Sequence, residues 1–205
     1  VRRKTSSPDK VRVIPNFVDT DAITPGPPDN AYRAEFGLTG KKVVMYAGNV
    51  GLSQSLDIVV EAAEKLSGLE DVVFVVNGQG STRRKLEDRA RGLDNVRFID
   101  FQPLERLPEV LAAGDIHLVS LHGGLAGSSF PSKTYSILAA GRPLIASVDE
   151  GSEIARVVDR AGAGITTPPD DAAALTGAIE RLLGSPEEAG EMGRRGRDYV
   201  ERCVS

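Results

Sequence analysis

The sequence predicts an α/β fold built on a doubly wound parallel sheet of about six strands, and three observations predict it. Short apolar runs alternate with segments of helical periodicity from Lys42 almost to the end of the chain. The runs are apolar throughout and do not alternate with polar residues, as strands buried on both faces require. The connections are short, as in strand–helix–strand units.

The elements follow in order. Residues 1–17 read as a polar linker or incoming segment, with Val11, Val13 and Ile14 as a short apolar run closed by Pro15. Asp19, Asp21, Pro25, Gly26, Pro27 and Pro28 are turn signals, so residues 25–30 are expected to form a surface loop. A short helix is predicted over residues 32–36, ahead of Gly37. Strands are predicted at residues 43–47, 72–76, 96–99, 116–119, 143–147 and 164–166. Between them, Leu56, Val59, Val60 and Ala63 recur at helical spacing, as do Ile154, Val157, Val158 and Ala161. Leu86 and Ala90 mark another helix, and so do Tyr135, Leu138 and Ala139. Pro108 suits the first turn of a helix over 108–113, where its missing N–H has no partner to lose. Leu175, Ala178, Ile179 and Leu182 form the cleanest apolar stripe, with Asp170 and Asp171 as negative charge at its N-terminus. Ser185, Pro186 and Glu188 read as an N-cap, a first-turn proline and a capping-box glutamate for a last helix running to about Val200. Residues 18–188 are thus expected to be one domain, with 189–205 as a C-terminal helix.

Composition narrows the function. The 205 residues are 40% hydrophobic and 26% charged, which suits one soluble domain with a substantial core. A net charge of -4 argues against a non-specific nucleic-acid binder. No apolar run approaches the ~20 residues that span a bilayer. Val1-Arg2-Arg3-Lys4 is followed by no apolar core, so it does not read as a signal peptide. A single cysteine, Cys203, excludes an internal disulfide and a cysteine metal cluster. A reducing, cytoplasmic setting is the expectation.

In an open parallel sheet, ligands bind at the carboxyl ends of the strands. Three of those ends carry small, glycine-rich turns: Gly48-Asn49-Val50-Gly51 after the first strand, Asn77-Gly78-Gln79-Gly80 after the second, and residues 120–133 after the fourth. Glycine lets backbone N–H groups approach an anion closely, and helix N-termini add donors and partial positive charge. A phosphate-bearing ligand is the expectation. The first turn lacks Gly-x-Gly-x-x-Gly and no Gly-x-x-x-x-Gly-Lys-Ser/Thr occurs, so neither an NAD fingerprint nor a nucleoside-triphosphatase loop is present. Pro131-Ser132-Lys133 sits where the next helix begins; Ser132 could cap it, and Lys133 would put a cation beside that anion-attracting end. His117 lies within a strand and reads as structural; His122, in a glycine-rich loop, reads by default as a plain loop histidine, with ligand contact as the sharper reading. Asp19-Thr20-Asp21 is rejected as a metal site because it sits in a proline-flanked linker, and no metal ligand is assigned.

Five stretches carry a family resemblance in consistent order over residues 11–200: Val13-Ile14-Pro15-Asn16-Phe17-Val18-Asp19, Tyr46-Ala47-Gly48-Asn49, Val76-Asn77-Gly78-Gln79-Gly80, Ala113-Gly114-Asp115-Ile116, and the most specific, Pro131-Ser132-Lys133-Thr134-Tyr135-Ser136 continuing to Pro143. The chain resembles the C-terminal, Rossmann-like domain of family 4 glycosyltransferases of GT-B fold, nearest the fucosamine-transferase-like and colanic-acid-type enzymes of surface polysaccharide synthesis. The resemblance implies a retaining transferase with no tightly bound cofactor or metal. Its donor is a nucleoside diphosphate sugar, expected to be UDP-linked. The acceptor, a glycan or lipid-linked sugar, is held by an N-terminal domain that is absent here, so this chain alone is expected to bind without turning over. Gly48, Asn49, Gly51, Gly78, Gly80, Ser129, Phe130, Pro131, Ser132 and Lys133 are then the donor and phosphate residues, Ser136 faces the ribose, and Phe101, Gln102 and Pro103 hold the base. For Phe101 the competing reading is core packing.

Departures from the family pattern are equally specific. An arginine and a lysine that commonly face the diphosphate are replaced by Asn49 and Gln54, and the paired glutamates by Ser128 and Ser136. Lys133 is the residue placed to supply the missing charge. Two alternatives stay open: a non-catalytic nucleotide-binding module, and a sugar-nucleotide epimerase of the same overall fold. Arg194, Arg195 and Arg197 read by default as a solvated face; the sharper reading is a docking face for the absent domain or for peripheral contact at the inner membrane surface.

Overall fold

The computed structural model describes residues 16–125 and 131–204. Six strands, β1 (Lys42–Ala47), β2 (Val72–Asn77), β3 (Val96–Ile99), β4 (Ile116–Ser120), β5 (Leu144–Ser147) and β6 (Gly164–Thr167), form one sheet in the order β3-β2-β1-β4-β5-β6, all parallel. The chain winds outward from β1 to β3, crosses back, and winds outward again from β4 to β6. The β1/β4 junction is therefore the topological switch point, where such sheets bind ligands. Every predicted strand is present, because the apolar runs had to be covered on both sides.

Among the described residues eight helices do the covering: α1 (Ala31–Glu35), α2 (Asp57–Lys65), α3 (Arg83–Arg89), α4 (Leu107–Ala113), α5 (Lys133–Ala139), α6 (Glu153–Ala161), α7 (Ala172–Gly184) and α8 (Pro186–Cys203), with a 3-10 turn at Leu104–Arg106. Alternate residues of each strand go to opposite faces. On one face Val44, Tyr46, Phe74 and Ile116 pack with Val59 of α2, Leu86 of α3 and Ile179 of α7. On the other, Met45 and Val75 meet Tyr32 of α1 and Val110 of α4. Leu144 and Ala146, farther along that second face, meet Leu138 of α5, Val157 of α6 and Val200 of α8.

Helix ends correct three local expectations. Ser185 precedes α8 but its side chain makes no capping bond, and Glu188 turns to Arg181 instead of closing a capping box. Ser132 precedes α5 with helical dihedrals and no side-chain cap. Asp171 does cap α7, accepting the Ala174 N–H at 2.9 Å, while Asp170 is drawn away to another partner. The arginine cluster is no uniform solvated face either. Arg197 points inward and donates to the carbonyls of Ile23, Ala139 and Thr20, which ties residues 18–23 to α8. Arg194 pairs with Glu191 on its own helix. Gly193 and Gly196 let α8 lie against Gly141 and Leu138. No helix among the described residues is long and apolar enough to cross a membrane.

Candidate functional site

The turns after β1 and β2 are hydrogen-bonded to each other beyond the sheet. Gly48 N–H donates to Asn77 O at 2.9 Å, Val50 N–H to Gln79 O at 2.8 Å, and Thr82 N–H back to Val50 O at 3.1 Å. A Cβ on Gly78 would stand 1.9 Å from Gly48 O, and one on Gly80 would stand 2.1 Å from Val50 O. Close backbone approach between two turns therefore accounts for both glycines. Their carbonyl side is fixed by Arg83, which donates to Gly78 O and to the Asp100 carboxylate, both at 2.6 Å.

Gly48 and Asn77, at the strand ends of these two turns, line a cavity of about 300 Å³ at the carboxyl edge of the sheet. Seven of the sequence-predicted residues meet there: Gly48, Phe101, Gln102, Pro103, Ser132, Lys133 and Ser136. The volume lies in the range of small-molecule sites. Phe101 is 54% exposed, so it is not a core residue but an aromatic face presented at the cavity wall. Gln102 accepts from Arg106 at 2.8 Å, which fixes its amide. Ser136 follows Lys133 by three residues and shares its side of α5.

Lys133 is the centre of the arrangement. Its Nζ lies 3.4 Å from the centroid of the Tyr46 ring, and an added Cβ on Gly48 would meet it at 3.3 Å. Gly48 has φ +147, a conformation that L side chains rarely adopt. Tyr46 is itself held by its hydroxyl, which donates to Asn49 O at 2.6 Å. Among the described residues Lys133 has no hydrogen bond or ion pair to a carboxylate. Burial pushes its ammonium down to about 7. The cavity lining contains no Asp or Glu, and Lys133 is its one charged residue among those described. A cation in such surroundings is stabilised by the ring quadrupole and would be stabilised far more by an anion.

Other predicted residues fall elsewhere. Asn49, Gly78, Gly80 and Pro131 do not line this cavity. Gly51 faces a neighbouring one, where its N–H donates to Gln54 Oε1 at 3.0 Å. Ser129 and Phe130 lie outside the described residues, as does Ser128. The described part of the turn after β4 holds a further correction, for the Gly123 and Gly124 amides are not open to a ligand. Gly123 N–H donates to Asp170 at 3.0 Å and Gly124 N–H to Asp149 at 2.9 Å, so the chain's own carboxylates occupy the anion positions. Tyr46 was missed as a site residue because it read as strand, and Asn77, read as the first residue of the turn after the second strand, was given no role of its own. Asn77 lines the cavity and accepts a hydrogen bond from the buried Tyr32 hydroxyl at 2.7 Å. His117 is structural as expected: fully buried, with one ring nitrogen 2.8 Å from Leu111 O.

Comparison with known proteins places this architecture. The family profile described as "Glycosyl transferases group 1" matches residues 41–185. A relative named as the colanic acid biosynthesis glycosyl transferase WcaI, from Escherichia coli (strain K12), is 34% identical over 167 residues. That match takes in 80% of this chain and 40% of the relative, so the chain spans less than half of the relative's length. Among solved structures, "Anabaena Alr3699/HepE in complex with UDP-glucose" superposes with a TM-score of 0.81 at 17% identity, over 95% of this chain and 53% of that one. The C-terminal domain of LpcC, a group 1 family protein from Francisella tularensis, superposes with a TM-score of 0.76 at 20% identity, over 91% of this chain and 97% of that one. Both structural likenesses concern the fold.

Proposed function

The chain belongs to the group 1 glycosyl transferases, and on that premise we propose that its carboxyl-edge cavity holds the nucleoside diphosphate of a sugar donor. The observation that carries this reading is a 300 Å³ cavity with one unpaired, desolvated lysine and no carboxylate in its described lining. The diphosphate sits between Gly48 and Lys133, the ribose faces Ser136, and the base lies against Phe101, Gln102 and Pro103. The bound state of HepE with UDP-glucose makes a UDP-linked donor the first to try. In the whole protein the sugar passes, with retained configuration, to a glycan or lipid-linked acceptor held by another domain. The chemistry asked of this chain is positioning, and stabilisation of charge on the departing diphosphate by the Lys133 ammonium.

Calorimetry with UDP-glucose and with a GDP-linked sugar tests it. Absence of heat with both at millimolar ligand overturns the reading. The affinity should depend on pH in a specified direction. Lys133 is half-neutral near pH 7 in the free chain and becomes fully charged beside the diphosphate, so binding takes up a proton. Affinity for UDP-glucose should therefore fall as pH rises above 7, by up to about tenfold per unit. UDP-glucose is the right probe because its pyrophosphate does not titrate in that range. A flat profile from pH 6.5 to 9 would remove Lys133 from the binding event.

A further inference from the structure

On the other side of the β1 turn, His122 and Asp170 form a pair that the diphosphate site does not use. The His122 backbone N–H donates to Ser53 O at 3.0 Å, which fixes it to the β1 turn. His122 Nδ1 lies 2.7 Å from Asp170 Oδ1, while Asp170 Oδ2 accepts the Gly123 N–H at 3.0 Å. Ser55 adds a side-chain hydrogen bond to the same carboxylate, and these bonds hold Asp170 below its ordinary pKa despite partial burial. Asp170 is also the one described non-glycine residue with positive φ, at 57°. A glycine would hold that backbone without strain, whereas a Cβ there costs on the order of 1 kcal/mol. The side chain, and not the backbone, is thus what the position requires. In the neutral ring, a carboxylate on Nδ1 fixes the ring orientation and leaves Nε2 as an acceptor. Nε2 has no partner among the described residues, and the side chain is 46% exposed.

That ring lines a second cavity of about 90 Å³, together with Gly51, Gln54, Thr82 and Lys85. Its volume equals roughly three waters' share of liquid, enough for a hydroxyl or a small ring substituent but not for a pyranose. Gly48 faces the Lys133 cavity and Gly51 faces this one. Three residues along one turn reach ~10 Å at most, a span that a pyrophosphate and its sugar cover.

We propose that His122, oriented by Asp170, reads the transferred sugar: Nε2 accepts a hydrogen bond from a sugar hydroxyl whose neighbouring substituent enters the 90 Å³ cavity. This assignment rests on the diphosphate reading of the Lys133 cavity. The test compares UDP with UDP-glucose, UDP-galactose and UDP-N-acetylglucosamine by calorimetry, in the unaltered chain and in His122→Ala and Asp170→Gly. Glycine suits the positive φ, so Asp170→Gly should melt no lower than the parent while losing the carboxylate. At least one UDP-sugar should bind the parent about tenfold more tightly than UDP, and both variants should erase that advantage while binding UDP itself within twofold of the parent. Three results overturn the proposal: the advantage survives in both variants, UDP affinity falls in parallel with the advantage intact, or no sugar of the panel improves on UDP. Failure of UDP itself to bind the parent sinks the diphosphate reading first, and this assignment with it.

Discussion

Lys133→Met is expected to weaken UDP-glucose binding about a hundredfold, ~2.7 kcal/mol, while making the unliganded chain more stable near neutral pH. The two effects share one cause. The Lys133 ammonium is desolvated above the Tyr46 ring with no carboxylate beside it among the described residues, and its pKa is held near 7. Unfolding returns it to water and to a pKa near ~10.4, so between about pH 7 and 10 the unfolded chain holds more protons than the folded one. In that window folded stability rises with pH, and at the lower end it is penalised by the buried charge. Methionine fills similar space, makes a sulfur–aromatic contact with Tyr46 and carries no charge. A gain on the order of 1–2 kcal/mol at pH 7, shrinking toward pH 10 as the parent catches up, is the expected pattern in thermal unfolding at a series of pH values. A destabilised variant, or one that binds UDP-glucose as the parent does, would mean that the lysine stem and not its charge is what matters there.

Gly78→Ala and Gly80→Ala are each expected to cost ~3 kcal/mol or more of stability, read as a lowered denaturant midpoint. The added methyl would stand 1.9 Å from Gly48 O or 2.1 Å from Val50 O, distances that no side-chain adjustment relieves because both obstacles are backbone. Relief requires opening the hydrogen bonds that zip the two turns, and with them the wall that carries Gly48 against Lys133. Nucleotide binding should therefore fall together with stability. Gly68→Ala is the control, since nothing lies within 4 Å of its added methyl; it should change stability by less than ~0.5 kcal/mol. Equal effects at Gly68 and Gly78 would show that the close approach of the turns carries no energetic weight.

The strands were readable because burial on both faces leaves a local trace, an unbroken run such as Val72-Val73-Phe74-Val75-Val76. Helix α7 was readable for the same kind of reason, since Leu175, Ile179 and Leu182 fall on one stripe and all three are buried. Caps were less legible. Ser185 and Ser132 have the right chemistry, yet their backbones take dihedrals that keep the hydroxyl from the orphan N–H groups. Asp171 has the extended dihedrals a cap needs, and it caps. Gly78 and Gly80 were singled out as glycines that let backbone approach an anion, whereas what approaches them in the structure is the β1 turn.

By itself, then, the order of apolar runs and helical stripes determined a parallel, helix-covered sheet with glycine turns at its carboxyl edge, because period and turn chemistry are properties of neighbouring residues. Family membership was legible in the same way, through ordered stretches such as the one that opens Pro131-Ser132-Lys133. Only the tertiary structure decided which of those residues share a cavity. It set Phe101 and Lys133 around one cavity, left Lys133 without a carboxylate among the described residues, and filled the Gly123 and Gly124 amides with Asp170 and Asp149. It also joined His122 to Asp170 across 48 residues. Charge pairing of that kind depends on which strand lies beside which, and the β1/β4 switch point that brings these turns together is a property of the whole sheet.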